Sequence, residues 1–451
     1  MTAAAGTGRP VIPVFVLDEV MERHGTCPKW RLGLGAEAVS ERLRAIGSRL
    51  VFRQGRALDA LSRLIGETGA EDVWWTRAYD PASVARDTGV KAALKERGIG
   101  ARSFAGHVLF EPWTVETGQG GYYRVFTPFW RAVKDRDVPA PLPAVTRLAA
   151  PDVWPDSDDP ANWALARGMN RGARVVRPWL NVGEAAAEAR LATFMAERVD
   201  GYAEARDMPG VPGTSRLSEN LTYGEISAAT CWHAGLRALH EGRRGAETFL
   251  KELVWRDFAN HLAWHTPRLV AGNWREAWDA FPWNEDERRP EVMAWQRGRT
   301  GIRFVDAAMR EMYVTGHMHN RARMIVASYL TKHLMTHWKV GLRWFEDCLA
   351  DWDPASNAMG WQWAAGSGPD AAPYFRVFNP VTQLEKFDPK GLYARRWIAE
   401  DQREPPETAL AYFEAVPRSW GLTQGLAYPK PVVEASEGRA RALAAYEARG
   451  F

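Results

Sequence analysis

The segment RLVFRQGRALDALSRLIGETGAEDVWWT, residues 49–76, contains the pattern from which the fold of the N-terminal region can be predicted. Two short runs at 49–53 and 72–76 are rich in β-branched and aromatic residues, and between them 57–67 has apolar residues three and four positions apart. The runs predict strands and the stretch between them predicts a helix. A strand, a helix and a second strand in this order are typical of a parallel sheet.

The same alternation continues in both directions. Upstream, 11–17 predicts a strand and 29–46 a helix, whereas downstream 81–97 predicts a helix and 101–104 a strand. Strands that alternate with helices in this way predict an α/β domain with a parallel, doubly wound sheet, which we assign to residues 1–130.

The remainder of the chain has a different pattern. Residues 131–185 are rich in Pro, Asp and Ala, which predicts a long surface linker and a domain boundary. After it, apolar residues recur at helical spacing, which predicts an all-α domain over 186–451. Segments with this spacing lie at 184–203, 223–239, 246–265, 302–311, 320–336 and 344–349, and a terminal helix is predicted at 434–449.

The composition excludes several classes of protein. A net charge of +3 is too small for a protein that coats nucleic acid, so any contact with DNA must come from a local patch. No run approaches the roughly 20 apolar residues of a membrane span, and no signal peptide is recognisable, so a cytoplasmic protein is expected. Cys27, Cys231 and Cys348 are too far apart to suggest a disulfide framework or a zinc site.

Tryptophan is unusually frequent, with 22 residues. A tryptophan side chain can fill a core, stack on a flat ligand or carry an electron. The composition does not separate these roles, so the positions of the individual tryptophans have to be considered.

The motif GTSRLS at 213–218 precedes a predicted helix. Small hydroxyl residues and free backbone N–H groups at the start of a helix are suited to binding phosphate. The alternative is an ordinary capped helix, which is the commoner occurrence when the motif is considered alone.

The segment FLKELVWRDF at 249–258 places Glu252 and Trp255 on one helical face, with Arg256 one turn from Glu252. A carboxylate beside an indole suits the recognition of a flat ring with N–H donors. The alternative is an ion pair next to a core tryptophan, which is commoner without other context.

The segment GHMHNRARM at 316–324 opens a predicted helix. Asn320 and Arg323 share one face, whereas Arg321 and Met324 share another, so one helix can serve two ligands. One face suits an anionic cofactor and the other a phosphate backbone. His317 and His319 are two positions apart, which is poor geometry for a shared metal ion, and no metal site is predicted.

Two further motifs follow. The segment DWDPASN at 351–357 lacks the Gly and the final Glu of a calcium loop, so we expect its carboxylates to pair with Arg323 and to hydrogen-bond a heterocycle. In GWQW at 360–363, Trp361 and Trp363 are expected on opposite sides of their element, one toward a cavity and the other inward.

Taken together, these segments resemble the DNA photolyase and cryptochrome family, and within it the bacterial cyclobutane pyrimidine dimer photolyases. The resemblance covers residues from about 11 to about 445 and is carried by Tyr202, 214–218, 252–256, 318–321 and 361–363, in that order. It implies an all-α C-terminal domain that holds FAD and an α/β domain that, in many relatives, holds a folate or deazaflavin antenna chromophore. The implied activity is light-driven repair of ultraviolet-damaged DNA by a monomeric lyase, through electron transfer from excited, reduced FAD to a flipped-out dimer.

The resemblance also implies roles for individual residues. Those expected to hold the flavin phosphates and ribitol are Tyr202, Thr214, Ser215, Arg216, Leu217 and Ser218. Those expected around the flavin ring are Asn320, Arg323, Asp351, Asp353 and Asn357, the last of them near the reactive ring nitrogen. Those expected to line the dimer pocket are Glu252, Trp255, Met324 and Trp363, and those expected near DNA are Arg206, Arg256, Arg321, Arg376 and Gln383. The implied electron-transfer chain is Trp361, Trp338 and Trp283, and a neutral Glu252 can donate a hydrogen bond to the dimer.

The sequence departs from the family pattern at two places. The family's first strand and its helix are not recognisable, so we expect Met1 to lie within that helix and an inner strand of the sheet to be missing. His317 stands where relatives usually carry tryptophan. Three alternatives are a signalling cryptochrome, a (6-4) photolyase and a DNA-binding module without catalysis. Because a (6-4) photolyase would have a second histidine in place of Asn320, repair of cyclobutane dimers is favoured.

Overall fold

The computed structural model of the protein describes residues 1–370 and 375–451. The four predicted strands are all present in the N-terminal region. They are β1 (Val14–Leu17), β2 (Val51–Gln54), β3 (Asp72–Thr76) and β4 (Gly100–Phe104). The helices that accompany them are α1 (Thr2–Ala5), α2 (Thr26–Ala45), α3 (Ala57–Thr68) and α4 (Pro81–Glu96).

The strands form two parallel pairs, β1 with β2 and β3 with β4, and no ladder joins the pairs among the described residues. The parallel α/β class is confirmed, but the strands do not form one continuous sheet. In a doubly wound sheet the strand order is 3-2-1-4-5-6, so strand 1 separates strands 2 and 3 from strands 4 and 5. The pair β1–β2 corresponds to strands 2 and 3 of such a sheet, and the pair β3–β4 corresponds to strands 4 and 5. Arg86 on α4 connects them, because its guanidinium lies 2.7 Å from Asp18 directly after β1.

A region without long regular elements follows, and its segments pack against the α/β domain. It contains α5 (Phe126–Val133) and α6 (Gly172–Val176) and 3₁₀ turns at Pro160–Trp163, Arg167–Met169 and Arg177–Trp179. The amide of Val11 donates to the carbonyl of Ala149, and that of Asp158 donates to the carbonyl of Phe52. Leu148 is buried beside β2.

The C-terminal half is helical, as predicted. Its helices are α7 (Glu184–Glu197), α8 (Tyr202–Ala205), α9 (Ser218–Thr222), α10 (Ala228–His240), α11 (Ala246–His265), α12 (Arg268–Ala271), α13 (Pro290–Gln296), α14 (Arg303–Thr315), α15 (Asn320–Ser328), α16 (Trp338–Cys348), α17 (Pro354–Ala365), α18 (Pro380–Phe387), α19 (Leu392–Trp397), α20 (Glu407–Ala415) and α21 (Ala435–Glu447). Within the described ranges, no helix has the length and apolar character needed to cross a membrane.

Several helix boundaries differ from the sequence prediction, and α16 begins six residues before the predicted segment 344–349. The segment 184–203 is divided into α7 and α8, because the chain turns after Glu197 and buries Val199. Helix α10 begins five residues later than predicted, because the side chain of Ser227 accepts from the amide of Thr230 and caps the helix there. The predicted helix at 320–336 ends at Ser328 and continues as one π-helical turn.

Two apolar cores support the helical domain, one around α7, α10 and α11 and the other around α14, α15, α16 and α20. Helix α17 packs against α11 in the first core and against α15 and α16 in the second. The motifs singled out in the sequence are brought together where these four helices meet.

Asp257 on α11 connects the helical domain to the chain that leaves the α/β domain. One carboxylate oxygen accepts hydrogen bonds from the amides of Leu109 and Phe110 at 2.8 and 2.9 Å. The other oxygen has no hydrogen-bond partner in the part of the chain that the structure describes. Burial raises the pKa of Asp257 to about 7, although Arg256 opposes the shift.

We therefore expect the Asp257→Asn variant to have a flatter pH profile of stability. Because its pKa is raised in the folded state, the Asp257 carboxyl contributes fully to the stability of the fold below about pH 4, and this contribution is lost as the pH rises through 7. Between pH 5 and pH 8, the unfolding free energy of the variant relative to the wild type should rise by about 1–3 kcal/mol. Denaturant unfolding at both pH values measures this, and an equal difference at both would contradict the assignment.

Candidate functional site

A cavity of about 1140 Å³ lies where α9, α11, α15 and α17 meet. This volume exceeds the usual range for small-molecule sites and leaves room for a large cofactor and a second ligand. Most of the predicted site residues line it. They are Tyr202, Arg206, Thr214, Ser215, Arg216, Leu217, Ser218, Glu252, Trp255, Arg256, Asn320, Arg323, Met324, Asp351, Asp353, Asn357, Trp361 and Trp363.

The loop at 213–218 forms one wall of the cavity, and its backbone geometry is unusual. A Cβ atom at Gly213 would lie 2.6 Å from the carbonyl oxygen of Ala205, so only glycine fits there. Arg216 has a φ of 54°, which is a strained conformation for a residue with a side chain. Strain of this kind is common at ligand-binding sites, and here it turns the loop along the cavity.

Arg323 and Asp351 form the ion pair that the sequence predicts. One terminal nitrogen of the guanidinium lies 2.8 and 2.7 Å from the two carboxylate oxygens of Asp351, and the hydroxyl of Ser218 donates to the same carboxylate at 2.7 Å. Although burial alone would raise it, Arg323 holds the pKa of Asp351 below its ordinary value. The pair is therefore charged and fixed in orientation at the cavity wall.

The first turn of α17 presents Asp353 and Asn357 to the cavity. The carboxylate of Asp353 accepts from the amide of Ser356 at 2.6 Å and caps the helix. The side-chain amide of Asn357 donates to the backbone carbonyl of Asp353 at 3.0 Å. Because both side chains are held by the helix terminus, they form a rigid polar edge.

Glu252 on α11 is paired with Arg206. Their closest atoms are 2.5 Å apart, and the guanidinium also lies over the ring of Tyr202, 5.6 Å from its centroid. Burial raises the pKa of Glu252, whereas Arg206 opposes this shift. The protonation of Glu252 therefore depends on whether Arg206 remains beside it.

Arg321 does not line the cavity. Its guanidinium lies 2.6 Å from the carboxylate of Asp207 and 4.3 Å from the ring centroid of Phe387. Met324, expected on the same helical face as Arg321, instead shares the cavity with Asn320 and Arg323. Arg321 therefore lies apart from Asn320 and Arg323, whereas Met324 lines the same cavity as they do, and the ligand that each face contacts stays a prediction.

The other residues expected near DNA have different surroundings. Arg256 lines the cavity, but its guanidinium donates to the carbonyl of His107 at 2.6 Å and thus fixes the chain that leaves the α/β domain. Arg376 and Gln383 lie outside the cavity. Arg376 is exposed, with its guanidinium 5.8 Å from the ring centroid of Phe378, and Gln383 is on α18.

The three tryptophans of the expected chain run from the cavity into the second core. Trp361 lines the cavity, and Gly341, one turn after Trp338 on α16, leaves the space for its ring, because a Cβ there would lie 2.1 Å from it. The ring of His337 packs beside the other two indoles, with its centroid 5.5 Å from that of Trp338 and 5.3 Å from that of Trp283.

Trp361 and Trp363 both line the cavity, so the prediction that only one of them faces it is wrong.

Two buried polar residues of the cavity wall were not predicted as site residues. Glu311 on α14 accepts from the hydroxyl of Tyr393 at 2.6 Å and from the amide of His319 at 3.2 Å. His317, considered above only as a metal ligand and as a departure from the family pattern, has a ring nitrogen 3.2 Å from the carboxylate of Glu219. Apolar spacing identifies the buried face of a helix but gives no sign that a carboxylate on it faces a cavity.

The chain is similar to known proteins over nearly its whole length. Residues 249–448 match the family model described as the FAD-binding domain of DNA photolyase, and residues 1–146 match that of DNA photolyase. The chain is 44% identical to the deoxyribodipyrimidine photo-lyase of Agrobacterium fabrum, over 99% of this chain and 94% of that one.

Two solved structures are similar over nearly the whole chain. One is a bacterial class III photolyase from Agrobacterium tumefaciens, with a TM-score of 0.89 and 42% identity over 99% of this chain and 93% of that one. The other is an archaeal photolyase from Sulfolobus tokodaii that contains two FAD molecules, with a TM-score of 0.79 and 28% identity over 98% and 95%.

Proposed function

The chain belongs to the DNA photolyase family, and on this basis we propose that its cavity brings FAD and a flipped-out pyrimidine dimer together. The activity is that of a deoxyribodipyrimidine photo-lyase, the light-driven repair of cyclobutane dimers in ultraviolet-damaged DNA. The observation that carries the site assignment is the convergence of Arg323, Asp351 and Asn357 with Glu252 and Trp255 on one cavity.

The residues of the inner wall are suited to holding FAD. The strained loop at 213–218 has hydroxyl side chains at Thr214, Ser215 and Ser218, which match phosphate and ribitol oxygens. The fixed pair of Arg323 and Asp351 and the amide of Asn357 match the donors and acceptors of a flavin ring. When bound, reduced and excited by blue light, FAD would supply one electron to the dimer and take it back after the cyclobutane ring has opened, so that the repair is redox-neutral.

The residues of the outer wall are suited to holding the dimer. Trp255, Met324 and Trp363 offer apolar surfaces that exclude water, and Glu252 is the polar group among them. A DNA phosphate that draws Arg206 away from Glu252 removes the charge that lowers the pKa of this carboxyl. Burial then favours the neutral form of Glu252, which takes up a proton from solvent and donates a hydrogen bond to a carbonyl oxygen of the dimer.

DNA contact in this proposal comes from a local group of cations, since the net charge is only +3. Arg206 and Arg321 are its centre and Arg376 is its outer part, and the neutral Gln383 adds a side-chain amide that can hydrogen-bond DNA. Before DNA binds, Glu252 and Asp207 neutralise the first two. Phosphates would replace these carboxylates, which makes binding sensitive to salt.

Further parts of the proposal concern the whole protein. We propose a cytoplasmic monomer, in keeping with cysteines that are all unpaired and with Cys27 and Cys231 fully buried. We also propose that the α/β domain holds an antenna chromophore of folate or deazaflavin type. The Sulfolobus tokodaii photolyase, which has two FAD molecules and for which a novel light-harvesting cofactor is implicated, supports the presence of an antenna but not its folate or deazaflavin type.

The decisive experiment measures the loss of cyclobutane dimers from irradiated oligothymidine by the reduced protein, in blue light and in the dark. We expect repair in the light only, and a Glu252→Ala variant should repair several-fold more slowly than Glu252→Gln, which keeps a hydrogen-bond donor. Bound FAD and tight DNA binding without repair would favour a cryptochrome, and repair confined to (6-4) products would favour that class. Equal rates for the two variants would contradict the role of Glu252.

A further inference from the structure

Trp255 has a second aromatic ring packed against it, and that ring lies outside the cavity. Phe126, on α5, stacks on the indole of Trp255 with ring centroids 3.6 Å apart and an interplanar angle of 7°. Trp255 lines the cavity, whereas Phe126 does not and is only 7% exposed. One face of the Trp255 indole is therefore covered by Phe126, and the uncovered part of the indole bounds the cavity.

The stacked pair is also held by a third ring. Phe258, one turn after Trp255 on α11, meets both rings edge-on, each with centroids 5.8 Å apart.

A ring enclosed in this way cannot change its rotamer without disturbing two neighbours. A flipped-out dimer has lost its stacking on the neighbouring bases. Its binding is therefore tighter when the side chains of the pocket wall are already ordered and lose no further entropy on binding. Undamaged duplex is held through its phosphates and does not enter the pocket. The orientation of Trp255 therefore affects the binding of damaged DNA but not that of undamaged DNA.

We propose that Phe126 is a positioning residue that fixes the indole of Trp255 and thereby sets the preference of the protein for dimer-containing over undamaged DNA. The proposal rests on the placement of Trp255 in the dimer pocket under the proposed function. It adds a residue that lies outside the cavity and belongs to α5, which precedes the helical domain.

The test compares Phe126→Leu with Phe129→Leu in the FAD-containing protein. Phe129 is on the same helix, is 1% exposed and packs on Phe258 at 5.2 Å, so it is a matched core position away from the indole. Dissociation constants are measured in the dark for a DNA duplex with and without one thymine dimer. For Phe126→Leu we expect about three- to tenfold weaker binding of the dimer-containing duplex only, as for the loss of one aromatic pair, and for Phe129→Leu no selective loss.

Two additional measurements separate positioning from general damage. Phe126→Tyr keeps the ring and should restore the preference, and it replaces Phe126→Leu in the comparison with Phe129→Leu if the leucine variant does not fold. In that case the proposal is overturned if Phe126→Tyr and Phe129→Leu both lose preference for dimer-containing DNA. It is supported if Phe126→Tyr retains this preference. For Phe126→Leu, the DNA concentration for half-maximal repair should rise, while the rate at saturating DNA stays unchanged.

A Trp255→Ala variant distinguishes the two levels of the proposal. If Trp255→Ala loses the preference and Phe126→Leu keeps it, or if Phe126→Leu weakens both DNAs equally, the role of Phe126 is overturned while the pocket stands. If Trp255→Ala keeps the preference, the placement of the dimer pocket under the proposed function is wrong and this inference is overturned with it.

Discussion

The Trp361→Phe variant is expected to reduce its bound FAD in the light at least about tenfold more slowly than the wild type. Trp361 is the one member of the expected chain that lines the cavity, and it is 2% exposed. Phenylalanine keeps most of the buried area but is much harder to oxidise than tryptophan. The repair rate of the chemically reduced variant should stay within about twofold of the wild-type rate, since the substitution changes how FAD is reduced and not the dimer pocket.

The measurement is the rate at which flavin absorbance is lost under blue light with an external reductant. Trp232→Phe is a suitable control, because Trp232 is equally buried but lies in the other apolar core, away from the cavity. Unchanged photoreduction in Trp361→Phe would show that the electron enters by another route. Slow photoreduction in both variants would point to loss of packing instead.

The Arg31→Met variant is expected to lose about 3–5 kcal/mol of unfolding free energy. Arg31 on α2 is fully buried, and its guanidinium contacts Glu219 at 2.5 Å and Glu225 at 2.6 Å. Removing it leaves two buried carboxylates without their main counterion. Arg174→Met, which breaks an exposed pair with Glu414, should change the stability by less than about 0.5 kcal/mol.

The same network predicts the effect of acid. Burial would raise the pKa of Glu219, but hydrogen bonds and charge from His317 and Arg31 lower it to about 2. A lowered pKa stabilises the folded state above the ordinary value of 4.5, and this stabilisation is lost as the pH falls from there through 2. Denaturant unfolding at pH 7 and pH 3.5 should show a smaller penalty for Arg31→Met at the lower pH, and a larger penalty there would contradict the network.

The sequence identified the two fold classes, and most of the site residues predicted from it line the cavity, because both depend on local patterns. Alternating strands and helices appear in the chain itself, and motifs such as 213–218 and 320–324 are short enough to be recognised without the fold. The prediction that a carboxylate of the 351–357 motif pairs with Arg323 is confirmed for Asp351.

The features that the sequence did not predict all depend on distant contacts. The stacking of Phe126 on Trp255 joins positions more than a hundred residues apart, and helical spacing gives no information about it. The pairing of Arg321 with Asp207 is of the same kind. The division of the strands into two pairs follows from sheet order, which alternation alone does not specify.

The Arg31 network also bears on whether the helical half can exist by itself. Ser218, which contacts the Asp351 carboxylate at the cavity, is followed at once by Glu219, whose counterion belongs to α2. A fragment starting near residue 186 would lack Arg31 and also Trp179, which lines the cavity, although Arg190 and His317 would still contact Glu219. We therefore expect such a fragment to be less stable than the whole chain and to retain FAD more weakly.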